Sequence, residues 1–108
     1  MTNILKVIDC KKDFEYQGPR FRRLGDNSGE EFRDEYLIPW LDSLADDSCG
    51  TVDFEGTKVY MSSFLEESFG GAIRKGYGQK VGKLVFVNID EDSLKDLKKY
   101  IEIALKKR

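Results

Sequence analysis

Apolar residues recur at helical spacing in three segments of the chain, and each segment follows a residue that suits a helix start. Ser28, Ser63 and Asp90 occupy these starting positions. Each serine is followed three residues later by a glutamate, the capping-box pattern in which both side chains bind free backbone amides. The predicted apolar faces comprise Phe32, Tyr36, Trp40, Leu41 and Leu44, then Leu65, Phe69, Ala72 and Ile73, and finally Leu94, Leu97, Ile101, Ala104 and Leu105.

The caps and the helix-breaking residues set the predicted bounds of the three helices. The first is expected to run over residues 28–45, with a kink at Pro39, which lacks the amide that a helix interior uses. The second is expected over residues 63–77. The third is expected over residues 90–108, whose basic end suits a helix C-terminus.

Three runs rich in β-branched and aromatic residues predict strands, at residues 4–9, 50–55 and 83–89, with the strand at 50–55 in the centre. The last run is almost continuously apolar, which is typical of a strand at the centre of a sheet or covered on both faces. Strands that alternate with helices predict an α/β fold with parallel neighbours. We expect the helices to share one face of the sheet. The other face would be covered by the amino-terminal arm, left to solvent or closed by a partner.

The amino-terminal quarter of the chain differs from the rest in composition. Residues 13–27 are polar and rich in turn signals, and residues 20–24 alternate charge and apolar side chains, which predicts a short exposed strand or hairpin arm. We therefore expect one domain of 108 residues. Residues 1–27 would form an amino-terminal strand and a polar arm, and residues 28–108 a helix–strand–helix–strand–helix core.

Composition and charge exclude several classes of function. A formal net charge of −2 argues against a general nucleic-acid-binding module, which carries a basic excess. The chain has no apolar run long enough to span a bilayer and no signal-peptide pattern, so we expect a cytoplasmic protein. Cys10 and Cys49 are too few for a disulfide framework or a zinc site and are expected to be small core residues.

The chain contains no histidine. It therefore lacks the commonest general base, the commonest metal ligand and the usual partner of a serine nucleophile. No cluster of lysine, cysteine or carboxylate side chains replaces it in the sequence. We expect a protein that is not an enzyme and that uses neither a metal nor another cofactor.

Three motifs carry a resemblance to a known family. They are GPR at residues 18–20, SGEEFR at 28–33, and DFEG at 53–56 followed by SSFLEESFG at 62–70. The chain resembles the STAS-like domain family of unknown function, which is related to the sulfate transporter and anti-sigma factor antagonist domain. The resemblance implies a single-domain sandwich in which a mixed, mostly parallel β-sheet packs against about three helices. It also implies a role in bacterial regulation through protein–protein interaction.

In anti-sigma factor antagonists, a serine at the start of the matching helix is phosphorylated by a partner kinase, and the phosphate releases the partner. The resemblance places Ser62 and Ser63 on this serine pair, with Ser63 at the phosphorylated position. The chain departs from the antagonists at Met61, where they have aspartate, and at Phe64, where they have glycine. The simpler interpretation of Ser63 is a helix cap that contributes about 1 kcal/mol.

We expect a partner-binding surface around the start of the second helix. The resemblance implies a kinase-like ATPase or another regulator as the protein partner, and no nucleic acid or membrane is expected to bind. The predicted surface consists of Lys58, Tyr60, Ser62, Ser63, Glu66 and Glu67.

The alternative function is binding of a small anion or nucleotide. Guanidinium groups and the amides at a helix start can hold a phosphate, and a glycine there permits close approach of the backbone. The competing interpretation is a solvated polar arm beside an acidic helix start. The residues concerned are Arg20, Arg22, Ser28, Gly29 and Arg33.

Overall fold

The computed structural model describes residues 3–107 of the chain. Its strands are β1 (Ile4–Lys6), β2 (Thr51–Asp53) and β3 (Val85–Val87), which form one parallel sheet in the order β1-β2-β3. Helices lie between consecutive strands, as expected where crossovers join parallel neighbours. The predicted α/β class is confirmed, and the strands in the described part of the chain are all parallel.

Four helices accompany the sheet within the described residues. They are α1 (Val7–Cys10), α2 (residues 29–43, π-helical at Arg33–Leu37), α3 (residues 62–81, π-helical at Glu66–Gly70 and Ile73–Tyr77) and α4 (Glu91–Lys106). Short 3₁₀ turns occur at Lys12–Glu15 and Arg22–Leu24. None of the helices within residues 3–107 has the length and apolar character required to cross a membrane.

The start of α2 agrees with the prediction in one half of its capping box. The Ser28 hydroxyl oxygen accepts a hydrogen bond from the Glu31 amide at 3.0 Å. The reciprocal bond does not form, because the Glu31 carboxylate binds Lys11 Nζ at 2.8 Å. The helix continues through Pro39, and Ile38 before it has ordinary helical angles (φ −63°, ψ −46°).

The start of α3 differs from the prediction, because no side chain caps it. The helix begins at Ser62, and Met61 occupies the N-cap position with extended angles (φ −119°, ψ 124°). Ser63 lies inside the first turn, and the Glu66 carboxylate binds arginines instead. The predicted capping box at this helix is therefore wrong. Close to its predicted end at Tyr77, α3 is interrupted at Gly76, whose φ of 103° lies in the region that favours glycine.

Three predicted strand features are corrected by the structure. β1 ends at Lys6, because the following residues turn into α1. The predicted exposed strand at residues 20–24 is a 3₁₀ turn, closed by the Gly25 amide, which donates to the Arg22 carbonyl at 3.2 Å. β3 lies at the edge of the sheet, where Val85 is 49% exposed, whereas β2 is the central strand, as predicted for residues 50–55.

One face of the sheet packs into the core through the aligned residues Leu5, Val52 and Phe86. The Phe86 ring lies 5.3 Å from the ring of Phe69 on α3, and all four helices contribute residues to the same core. The opposite face carries Ile4 and Val85, which are 50% and 49% exposed. Of the three arrangements expected for that face, the described residues leave it largely open to solvent.

A cluster of three buried phenylalanines fixes the start of α3 against the rest of the molecule. Phe14 comes from the amino-terminal arm, Phe32 from α2 and Phe64 from the first turn of α3. Their ring centroids are 5.4 to 5.7 Å apart, a distance typical of favourable aromatic pairs. Phe64 therefore packs beneath the helix start and leaves the serines beside it on the outside.

Candidate functional site

The amino-terminal arm runs alongside the segment that leads into α3. Tyr16 and Val59 form an isolated parallel bridge, and the Gln17 amide donates to the Val59 carbonyl at 3.1 Å. The Gln17 Oε1 atom accepts a hydrogen bond from the Met61 amide at 2.9 Å. These bonds bring residues of two distant segments together at the first turn of α3.

The resulting surface has an apolar strip beside the serine pair. Tyr16 is 53% exposed, and Val59 and Met61 are each 41% exposed. In an extended segment alternate side chains point the same way, so Val59 and Met61 lie on one side and Tyr60 on the other. We call Tyr16, Lys58, Val59, Met61, Ser62 and Ser63 the entrance surface.

Three of the six predicted partner-binding residues lie on the entrance surface. Lys58 and Ser62 are exposed and Ser63 is half-buried. Tyr60 is turned inward, with its ring 5.9 Å from that of Phe54. Burial is the main cause that raises the pKa of its phenol.

The backbone amides at the start of α3 lack acceptors. The first hydrogen bond of the helix runs from the Leu65 amide to the Met61 carbonyl. The amides of Ser62, Ser63 and Phe64 precede it and find no partner among residues 3–107. The hydroxyls of the two serines also have no hydrogen-bond partner in that part of the chain.

The two remaining predicted residues, Glu66 and Glu67, belong to a group of internal ion pairs, which we call the arginine–glutamate cluster. Arg20 Nη1 lies 2.5 Å from Glu66 Oε1 and 3.1 Å from Glu67 Oε1. Arg74 contacts the same two carboxylates at 2.8 and 3.4 Å, and Arg33 binds Glu67 from α2. The cluster therefore ties the arm, α2 and α3 together.

The ion pairs keep Glu66 charged. The hydrogen bond from Arg74 is the largest cause that lowers the pKa of the Glu66 carboxyl, and the bond from Arg20 adds to it. Glu66 is therefore ionised at neutral pH and has no proton to donate. Glu67 is buried between Arg20 and Arg33 and is likewise turned away from solvent.

A glycine on α3 makes room for the arginine–glutamate cluster. A Cβ atom at Gly71 would lie 2.8 Å from Glu67 Oε2 and 2.9 Å from Arg33 Nη1. Carbon atoms are not found so close to these atoms in folded proteins. A side chain at this position would therefore displace the charged groups packed against it.

The residues predicted to bind an anion each have a partner within the chain. Arg20 and Arg33 bind Glu66 and Glu67 as described, and Arg22 binds Glu35 at 2.6 Å. The buried Ser28 hydroxyl serves as the cap of α2. The structure does not bring these side chains together around an open cationic space.

Gly29, the remaining member of that set, permits a close helix crossing. A Cβ atom there would lie 2.6 Å from the Phe64 carbonyl oxygen. The buried Ser68 hydroxyl donates to the Phe64 carbonyl at 2.7 Å and reaches the Gly29 carbonyl at 3.3 Å. The glycine therefore serves the contact between α2 and α3.

The cysteines and carboxylates do not form a metal centre in the described residues. No group of three histidine, cysteine, aspartate or glutamate side chains within residues 3–107 is arranged to hold an ion. Cys10 is half-buried, and burial raises the pKa of its thiol to about 11. Cys49 is exposed, so the prediction that both cysteines are core residues is wrong for Cys49.

Sequence reasoning singled out Arg20 of the arm but missed Tyr16 and Gln17. These two residues meet the segment that leads into α3 through contacts that span more than 40 residues of sequence, as in the Gln17–Met61 bond with a separation of 44. No local pattern signals such a contact. Arg74 was detectable, because it lies two helical turns beyond Glu66 on the same face of α3.

Comparison with protein families places most of the chain in a known family. A family model described as a STAS-like domain of unknown function (DUF4325) matches residues 28–94, which is more than half of the chain. No curated protein and no solved structure shows a significant match. The matched region includes Ser62 and Ser63 but not the arm that carries Tyr16, Gln17 and Arg20.

Proposed function

Because the chain belongs to the family of STAS-like domains of unknown function, we propose that it is a regulatory module that binds another protein and catalyses no reaction. The observation that carries this proposal is the apolar strip of Tyr16, Val59 and Met61 beside the serine pair. Apolar residues exposed singly are ordinary on protein surfaces, whereas adjacent ones are typical of interaction sites.

The chemistry around the strip suits a protein contact. Lys58 supplies a largely exposed cation at the rim, and its Nζ lies 5.8 Å from the centre of the Tyr16 ring. An apolar centre with a polar or charged rim is the usual composition of a protein interface. The entrance surface therefore replaces the predicted set in this proposal, since Glu66 and Glu67 are engaged internally.

Phosphorylation of Ser63, or of Ser62, is the proposed control of binding. Both hydroxyls lie at the edge of the strip, and Ser62 is exposed. A phosphate would place about two negative charges beside an apolar contact. Loss of the partner is the expected consequence, as the resemblance to anti-sigma factor antagonists implies, with a kinase-like ATPase or another regulator as the partner.

Two observations support a role without catalysis. The chain has no histidine. The most prominent carboxylates on α3, Glu66 and Glu67, are paired with arginines, and the pKa of Glu66 is lowered by Arg74 and Arg20. Such a carboxylate is a poor general acid at neutral pH.

Affinity capture with two matched valine variants tests the proposal. Val59→Glu alters the entrance surface, whereas Val85→Glu alters an equally exposed valine on β3. A genuine partner should be enriched from host lysate by the wild type and by Val85→Glu, and lost with Val59→Glu. Equal capture by all three proteins would refute binding at the entrance surface.

The phosphorylation step has its own test. The captured partner should be released by Ser63→Glu and retained by Ser63→Ala, and phosphate should be found on Ser63 or Ser62 of protein purified from the host. Mass spectrometry detects the modification directly. Retention of the partner by Ser63→Glu together with unmodified serines would leave the binding surface standing but remove the switch.

A further inference from the structure

The start of α3 offers hydrogen-bond donors without acceptors. The amides of Ser62, Ser63 and Phe64 have no partner among the described residues, and Met61 provides no side-chain cap. The helix that follows runs without interruption to the break at Gly76. A helix start of this kind carries partial positive charge and favours a bound anion.

Gln17 adds an independent observation at the same place. It is only 5% exposed, and its Oε1 accepts the Met61 amide at 2.9 Å, so the side-chain amide is held against the helix start. The other atom of that amide, Nε2, is buried and has no hydrogen-bond partner. A buried donor without an acceptor is rare in native proteins and indicates an absent ion or water.

The nearby carboxylates are not available to these donors. Glu66 and Glu67 are held in the arginine–glutamate cluster, and Glu15 lies 3.3 Å from Lys58 Nζ. An anionic acceptor for these donors would therefore come from outside the described residues. We infer that the start of α3 binds a phosphate-type oxyanion through the amides of Ser62, Ser63 and Phe64 and the Nε2 atom of Gln17.

Two sources can supply such an oxyanion, namely free phosphate or a phosphorylated side chain of the partner protein. For the second source the inference rests on the proposed function. The site itself is tested without any partner, because inorganic phosphate is a sufficient probe. If no partner is captured, phosphate binding at the start of α3 can still be observed. If phosphate does not bind, the apolar strip can still bind a partner.

A titration followed by ¹H–¹⁵N correlation spectra tests the site. Inorganic phosphate is added at constant ionic strength, with chloride as the reference anion. Saturable shifts are expected for the amides of Ser62, Ser63 and Phe64 and for the side-chain amide of Gln17. The side-chain amide of Gln79, on the far end of α3, is the internal control and should not shift.

A short peptide with one phosphoserine separates the two sources. Binding at least about tenfold tighter than that of inorganic phosphate, at the same amides, assigns the site to a phosphorylated partner. Equal affinity assigns it to free phosphate. In both cases the amide signals that shift most must be those of residues at the start of α3.

Two substitutions supply the negative charge internally. Met61→Asp places a carboxylate at the N-cap position, and Gln17→Glu replaces the buried donor with an isosteric acceptor. Both should abolish the phosphate-induced shifts, whereas Met61→Leu should retain them. Since Gln17→Glu also alters a buried group, Met61→Asp decides the outcome if the former does not fold.

Three results would overturn the inference. The first is a linear, unsaturated response to phosphate at the start of α3. The second is an unchanged titration in Met61→Asp. The third is a crystal structure grown in phosphate in which a water joins Gln17 Nε2 to the buried, unpartnered Asn27 Oδ1 and no anion lies on α3.

Discussion

The guanidinium of Arg20 and the carboxylate of Glu66 meet at 2.5 Å across a sequence separation of 46 residues. This pair brings the amino-terminal arm onto α3 and occupies two residues that the sequence assigns to different functions, an anion site and a partner surface. Their contact shows that Arg20 and Arg33 of one predicted patch and Glu66 and Glu67 of the other belong to one internal cluster. The proposed binding at α3 is therefore assigned to the entrance surface.

Glu66 should make the stability of the protein depend on pH. Its folded pKa is lowered from 4.5, so its contribution is present above pH 4.5 and is lost as the pH falls through the folded value. Glu66→Gln should therefore be less stable than the wild type by about 1–3 kcal/mol at pH 7. The difference should close as the pH falls through the folded pKa of Glu66, where the wild-type carboxyl takes up its proton.

Urea unfolding at several pH values measures this difference in the free energy of unfolding. Glu102→Gln is the control, because Glu102 pairs with Lys106 on the exposed face of α4. Its substitution should change stability by less than about 0.5 kcal/mol at any pH. A difference between wild type and Glu66→Gln that stays constant from pH 7 down to the acid unfolding of the protein would contradict the role of ionised Glu66.

Gly71→Ala should destabilise the protein by about 1–3 kcal/mol, since the added methyl would overlap the Arg33–Glu67 pair. Denaturant unfolding measures the loss. In a Glu67→Ala background, which removes one of the two contacted groups, the same change should cost less. Equal costs in both backgrounds would show that the helix backbone, and not the ion pair, requires glycine.

Met61→Asp should raise the free energy of unfolding by about 1 kcal/mol, because the new side chain would accept hydrogen bonds from free amides at the start of α3. Thermal or urea unfolding measures the gain, with Met61→Leu as the variant that leaves the amides uncapped. A gain of the same size in both variants would assign the effect to something other than capping.

The two thiols should differ in reactivity. Cys49 is exposed, whereas burial raises the pKa of Cys10 from 9.0 to about 11, which lowers its thiolate fraction about a hundredfold at pH 8. Iodoacetamide should therefore alkylate Cys49 much faster, as followed by mass spectrometry. In urea the two rates should become similar, and equal rates in the folded protein would contradict the burial of Cys10.

Local patterns predicted the parts of the fold that depend on local chemistry. The apolar faces of the helices and the caps at Ser28 and Asp90 agree with the structure, since each involves residues within one or two turns. The same S-x-x-E pattern failed at Ser63, because Glu66 finds stronger charged partners in Arg20 and Arg74. A competing interaction from a distant segment is invisible to a local pattern.

The position of β3 in the sheet shows a second limit. Its apolar composition predicted a central or fully covered strand, yet it forms an edge. Composition reports how apolar a strand is, whereas the order of strands is set by crossovers and by which helices pack between them. The candidate site shows the same limit. Its serines were predicted from a local motif, whereas the contribution of Tyr16 and Gln17 depends on contacts between distant segments and was not predicted.

The arm has a consequence for how related proteins diverge. Tyr16, Gln17 and Arg20 complete the surroundings of the serine pair, but they precede residues 28–94, the region shared with the family. The surroundings of the serine pair are thus completed by a segment that lies outside the region that the family model matches. We expect relatives with different leading segments to recognise different molecules while keeping the same serine-bearing helix.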